Sequence, residues 1–248
     1  MADRPMRTDP NGARPGRGLA RRELVGALAA GAAVAATASA IAAPATAAPA
    51  ARLATEEFRL PWSEPGVEIY VRNKRPAGTD RFPGDRILLY VHGSTYPSST
   101  AFDLPLGGLS AMDYLAGLGF DVYCIDLPGY GLSGRPAAMD APPADNPPLI
   151  RTPDAAKVVG QVVDFIRKRR NVEKIDLMGW SWGTSTMGLY TSTHNDTVNR
   201  LVLYAPQWLA RTPGLIGGGG PVGAYRSVSR DSARARWLTG CPRTRRPT

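Results

Sequence analysis

Residues 179–183 read Gly-Trp-Ser-Trp-Gly, inside the longer run KIDLMGWSWGTSTMGLY. A serine at the centre of Gly-x-Ser-x-Gly has the spacing of a nucleophile presented on a tight turn. A serine hydroxyl is a weak nucleophile by itself and needs a general base within hydrogen-bond reach, most often a histidine. The 248-residue chain has two histidines, His92 and His194. The chemistry therefore turns on which elements position Ser181, and on whether either histidine can reach it.

The segments around the serine define those elements. EEFRLPW (56–62) and VEIYVRN (67–73) alternate apolar and polar residues, as half-exposed strands do, and Pro65-Gly66 between them marks a turn. RILLYVHG, DVYCID, KIDLMG and RLVLYAP are short apolar runs, the pattern of strands buried on both faces. Between them, Leu109–Leu118 has helical spacing and is followed by Gly119 as a C-cap. Asp154–Arg170 is a long amphipathic helix ending in RKRR, and Trp182–Thr193 is a third helix. LPGYGLSGRPAAMDAPPADNPP, rich in Gly and Pro, reads as a loop. A hairpin followed by alternating strands and helices calls for an α/β fold, a mostly parallel twisted sheet with helices on both faces.

Ser181 falls where a strand ending at Met178 meets the helix starting at Trp182. Such a turn lifts the hydroxyl above the carboxyl edge of the sheet, where open α/β sheets bind ligands. It also sets the Trp182 backbone N–H, at a helix N-terminus, beside the serine as a donor to an oxyanion. Asp126, Gly129, Tyr130, Gly131 and Gly134 read as residues that shape a loop. Trp180 and Trp182 read as pocket-lining or packing residues, and Gly217–Gly220 as a flexible loop.

Three motifs, VHGS at 91–94, DLPGYGLSGRP at 126–136 and GWSWGT at 179–184, resemble in order and placement those of the α/β-hydrolase superfamily, over roughly Glu56 to Pro206. The resemblance is to its serine-nucleophile members. It implies that Ser181 is the nucleophile and that the N–H groups of Ser94 and Trp182 form the oxyanion hole, with His92 and Gly93 supporting the oxyanion loop. Serine here, rather than the aspartate of dehalogenases and epoxide hydrolases in that superfamily, implies hydrolysis of an ester, thioester, amide or C–C bond through an acyl-enzyme. It implies a small-molecule substrate, an ester or amide, and neither cofactor nor metal.

Neither histidine suits the role of base. His92 lies in the turn that braces the oxyanion loop. His194 ends the helix that Ser181 begins, and twelve helical residues at about 1.5 Å each carry it roughly 18 Å away, whereas a base must come within about 3 Å. The family order of Ser, then acid, then His places the partners after later strands. Residues 207–240 resemble the beginning of a cap insertion, and 241–248 (CPRTRRPT) diverge from any apolar period. The expectation is an α/β-hydrolase core over 48–206 that is C-terminally truncated by a frameshift or stop near Gly240, without its last strands and most of its cap, and inactive in that form. Two alternatives are a non-catalytic binding protein of the same fold and a hydrolase with an atypical base, His92 after rearrangement.

Composition bounds the partners. The chain has 30 Lys+Arg and 21 Asp+Glu, a net charge of +9. The excess lies at the ends, with the 48–225 body neutral, and no basic stripe with interleaved aromatics runs through it. That excludes a nucleic-acid-binding face. Arg21-Arg22 before the Ala- and Gly-rich stretch 24–43, followed by APATAAPA, resembles a twin-arginine signal peptide over 1–47 with cleavage after Ala47. The twin-arginine export machinery is then a partner and the mature protein is exported, to the cell envelope or beyond. Two cysteines, Cys124 in an apolar strand and Cys241 in the tail, make neither a disulfide framework nor a zinc site.

Overall fold

The computed structural model describes residues 52–207 and 222–239. The chain divides into Met1–Ala48 and Pro49–Thr248, and every described residue lies in the second unit. The signal-peptide region, Gly217–Gly220, Cys241 and the 241–248 tail lie outside the described residues.

Strands β1 (Leu53–Pro61) and β2 (Glu68–Pro76) form an antiparallel hairpin. Its turn closes through Gly66 at φ 83, a left-handed conformation that favours glycine. β3 (Ile87–Val91), β4 (Asp121–Asp126), β5 (Ile175–Trp180) and β6 (Val198–Tyr204) are the parallel part. The sheet order is β1-β2-β4-β3-β5-β6, with β2 antiparallel to β4. This is the mostly parallel sheet that the alternation of runs predicts.

Alternation along β3 divides the core. Ile87, Leu89 and Val91 face one side, where they pack with Val158, Val159, Val162, Val163 and Ile166 of α3 (Thr152–Arg170) and Met187 and Tyr190 of α4 (Trp182–Thr193). Leu88 and Tyr90 face the other, with Phe102, which follows the short helix α1 (Ser98–Ala101), and Met112 and Ala116 of α2 (Ala111–Gly117). Helices therefore cover both faces. Ser110 caps α2 through a reciprocal pair with Asp113, at 3.0 Å and 3.1 Å. α1 and the 3-10 turns at Ala137–Asp140 and Pro143–Asp145 fall in segments that read only as loop.

Two expectations need correction. β5 runs two residues beyond Met178, because Gly179 and Trp180 still pair with Leu203 and Tyr204 of β6. RLVLY reads as a strand buried on both faces, yet in β6 only Val198 is buried, Leu201 is half-buried, and Val202, Leu203 and Tyr204 are exposed. Among the described residues β6 pairs with β5 alone, so its ladder is filled on one side only. A last helix, α5 (Arg230–Trp237), is capped by the Ser229 hydroxyl, which accepts the Ser232 N–H at 3.1 Å.

Candidate active site

The site begins with two close approaches that only glycine allows. A side chain at Gly179 would meet the Gly183 carbonyl, and a Cβ at Gly183 would lie 2.5 Å from the Val91 oxygen and 2.6 Å from the His92 oxygen. β5, α4 and the end of β3 can therefore converge on the residue between the glycines. Ser181 takes φ 52 and ψ −117, a left-handed conformation costly for a residue with a side chain, on the order of 1–3 kcal/mol. The turn is held by its own backbone: Ser181 N–H donates to the Tyr204 carbonyl at 3.0 Å, and Thr184 N–H donates to the Ser181 carbonyl at 2.9 Å.

Gly93 packs directly on the serine. A Cβ there would stand 3.0 Å from Ser181 Cβ and 3.4 Å from its Oγ. The loop after β3 and the elbow after β5 thus meet at Gly93 and Ser181. Ser94 follows at once, and its carbonyl accepts from the Tyr130 hydroxyl at 3.2 Å. The backbone N–H groups of Ser94 and Trp182 and the hydroxyl of Ser181 have no hydrogen-bond partner among the described residues. Trp182 directs its indole N–H to Thr152 Oγ1 at 3.0 Å, anchoring α4 to α3.

His92 is fully buried and both its ring nitrogens are engaged. Nε2 accepts the Leu127 N–H at 3.1 Å, so the proton sits on Nδ1, which donates to the Gly93 carbonyl at 2.6 Å. Complete burial lowers its pKa, opposed by the Gly93 carbonyl and the Asp126 carboxylate. Asp126 is also buried and holds loops together: it accepts the Ser99 N–H at 2.9 Å, the Ser99 hydroxyl at 2.6 Å and the Leu132 N–H at 2.9 Å. His194 lies at the far end of α4, stacked on Tyr190 at 4.5 Å with its Nδ1 2.9 Å from Thr193 Oγ1. The fold brings the oxyanion loop at Gly93 and Ser94 onto the elbow of Ser181 and Trp182, and neither histidine ring is hydrogen-bonded to the serine.

A cavity of about 770 Å³ adjoins Ser94 and Tyr130, walled on the far side by Leu149, Ile150 and the 222–226 segment. It flanks the oxyanion loop; Ser181, Trp180 and Trp182 are not among its lining residues. Its polar rim includes Arg226, which sequence reasoning counted only as part of a basic C-terminal stretch. No motif or spacing marks that arginine, because its partners are 131 and 132 positions away.

The sheet order, the strained serine between two obligatory glycines and the loop packed on it define an α/β hydrolase-type protein. The sequence matches the alpha/beta hydrolase fold family over residues 87–216, more than half of the chain, and the chain belongs to that family. Similar solved structures include a CIB-like hydrolase from Thermoplasma acidophilum (19% identity, TM-score 0.45, 64% of this chain and 66% of that one). A thioesterase domain from the curacin biosynthetic pathway is another (18%, 0.48, 66% and 48%). So is an epoxide hydrolase from Vigna radiata (14%, 0.44, 64% and 41%). The chain thus spans less than two thirds of the length of each. No curated protein sequence matches it.

Proposed function

We propose that the protein is a serine hydrolase that cleaves a small ester, thioester or amide through an acyl-enzyme on Ser181. One observation carries this reading: a hydroxyl held at φ 52 on the elbow and two backbone donors, Ser94 N–H and Trp182 N–H, on the two segments that meet there, all three without a hydrogen-bond partner among the described residues. On attack, Ser181 Oγ bonds to the carbonyl carbon, its proton passes to a base, and the carbonyl oxygen takes the negative charge. Fixed N–H donors stabilise that charge without reorganising, and removing one such donor typically costs 10²–10³ in rate. The leaving group departs with a proton, and water then cleaves the acyl-serine.

Neither histidine is assigned as the base. His92 would have to break both ring hydrogen bonds and leave a buried niche, and His194 is an α4 length away. The 248-residue chain alone is therefore expected to turn over p-nitrophenyl acetate no faster than its Ser181→Ala variant. A chain extended by the sequence downstream of Thr248, read in each frame, tests the nucleophile. Fluorophosphonate labelling there, absent from Ser181→Ala, is expected. A folded extended chain that no frame renders reactive overturns the reading. It would leave a binding protein of the same fold, which the engaged state of His92 favours.

With this goes export by the twin-arginine route. A precursor carrying Arg21→Lys and Arg22→Lys is expected to stay in the cytoplasm, and the mature protein to begin near Ala48. Export of the double variant would rule that route out.

A further inference from the structure

The cavity beside the oxyanion loop has an unusual charge distribution. Its lining, among the described residues, is largely apolar, including Met139, Leu149 and Ile150, and holds no Asp, Glu or Lys; Arg226 is the one charged side chain among those residues. The guanidinium is fixed from a distance in sequence: Nη2 donates to the Ser94 carbonyl at 3.1 Å and to Thr95 Oγ1 at 3.2 Å. Both acceptors are neutral. Three arginines of the sheet and of α3 find carboxylates, Arg72 at Asp103, Arg75 at Glu56 and Arg170 at Asp121. Among the described residues Arg226 has no carboxylate partner, and its Nε and Nη1 have no acceptor.

A guanidinium presents donors in a planar fork that matches a carboxylate. A pocket of a few hundred to about 1,000 Å³ with apolar walls and few fixed polar groups is the usual form of a small-ligand site. We propose that this cavity binds an amphiphilic carboxylate, its apolar chain against Met139, Leu149 and Ile150 and its carboxylate on Arg226. Resting on the hydrolase reading, the proposal further makes the substrate of Ser181 an ester or amide that bears a free carboxylate apart from the scissile bond. Binding itself needs no reaction at Ser181.

The test is calorimetric titration of the 248-residue protein with octanoate and with octanamide, its neutral isostere. Octanoate is expected to bind at least tenfold more tightly than octanamide. Arg226→Gln should reduce octanoate to the octanamide level and leave octanamide unchanged, while Arg226→Lys retains part of the preference. Ser181→Ala should bind octanoate as the parent does, which separates this proposal from the catalytic one. Equal binding of the two ligands, or no binding of octanoate to protein with an intact urea transition, overturns it. So does an Arg226→Gln variant that loses octanamide as well, because Arg226 would then be holding the loop in shape rather than recognising a charge.

Discussion

His92 Nε2 accepts the backbone N–H of Leu127 at 3.1 Å, tying the turn after β3 to the turn after β4 across 35 residues of sequence. The lone pair that a general base would use is committed to structure. The same bond sets the tautomer, and burial makes the neutral ring the form the fold accepts.

Protonation of His92 is therefore coupled to unfolding. Its folded pKa is depressed below the ordinary value of about 6.5. Above that value both states carry a neutral ring, and the contribution to stability is fully present. As pH falls below it, the unfolded chain binds a proton that the folded chain does not. Stability is then lost, at up to about 1.4 kcal/mol per pH unit, until the folded value is reached. Urea midpoints measured from pH 7 to 5 should fall in the parent and fall less steeply in His92→Gln. That variant should also be less stable at pH 7 by about 1–3 kcal/mol, since Leu127 N–H and the Gly93 carbonyl lose a partner. Parallel pH profiles for the two proteins would show that His92 is not the coupled group.

The elbow glycines should differ in cost. Alanine at Gly183 drives a Cβ to 2.5 Å and 2.6 Å from two backbone oxygens, which cannot move without shifting the end of β3. Alanine at Gly93 meets Ser181 Cβ at 3.0 Å and the Trp180 oxygen at 3.2 Å, a tight fit that a small displacement relieves. Overpacking costs about 1–3 kcal/mol. Gly183→Ala belongs at or above the top of that range and Gly93→Ala near the bottom. Denaturant unfolding of both variants checks the order, and equal costs would mean the elbow is looser than its geometry.

The elements that were legible in the sequence carry their own signal. The α3 stripe of Val158, Val159, Val162, Val163 and Ile166 repeats at the helical period and is buried as that period requires. Gly179 and Gly183 mark the elbow because nothing larger fits. β6 misleads for the opposite reason. Leu-Val-Leu-Tyr has the composition of a strand buried on both faces, but burial belongs to neighbours, and among the described residues only β5 stands beside it. Arg226 was illegible because its meaning lies in a loop 132 residues away and in a cavity lining that holds no acidic side chain among the described residues, neither of which a local pattern records.

Asp121 and Arg170 make a buried pair that should dominate the ion pairs. Arg170 Nε and Nη2 reach the two carboxylate oxygens at 2.7 Å and 3.0 Å, with the side chains 4% and 0% exposed. Arg170→Met leaves Asp121 buried with the Asn73 amide at 2.7 Å as its side-chain donor. Breaking one side of such a pair costs about 3–5 kcal/mol. Arg167→Met, whose partner Asp164 is exposed, should cost less than about 1 kcal/mol. Comparable losses in thermal or urea unfolding would refute the distinction.

The outer side of β6 should govern self-association. Val202, Leu203 and Tyr204 are 46%, 46% and 58% exposed on a strand whose ladder, among the described residues, is filled on the β5 side only. An unpaired edge offers backbone donors and acceptors in register for another strand, and apolar side chains there add the burial that makes pairing favourable. A charge at that edge resists pairing because a second chain would have to desolvate it. Leu203→Lys should therefore raise the concentration at which light scattering or sedimentation detects oligomers. Because the side chain is already half in solvent, the unfolding free energy should change by less than about 1 kcal/mol. Leu106→Lys is the control: Leu106 is 74% exposed but lies in the loop between α1 and α2, outside strand β6. If both lysines suppress association equally, exposed apolar area or net charge is the cause. If only Leu203→Lys does, the open edge is.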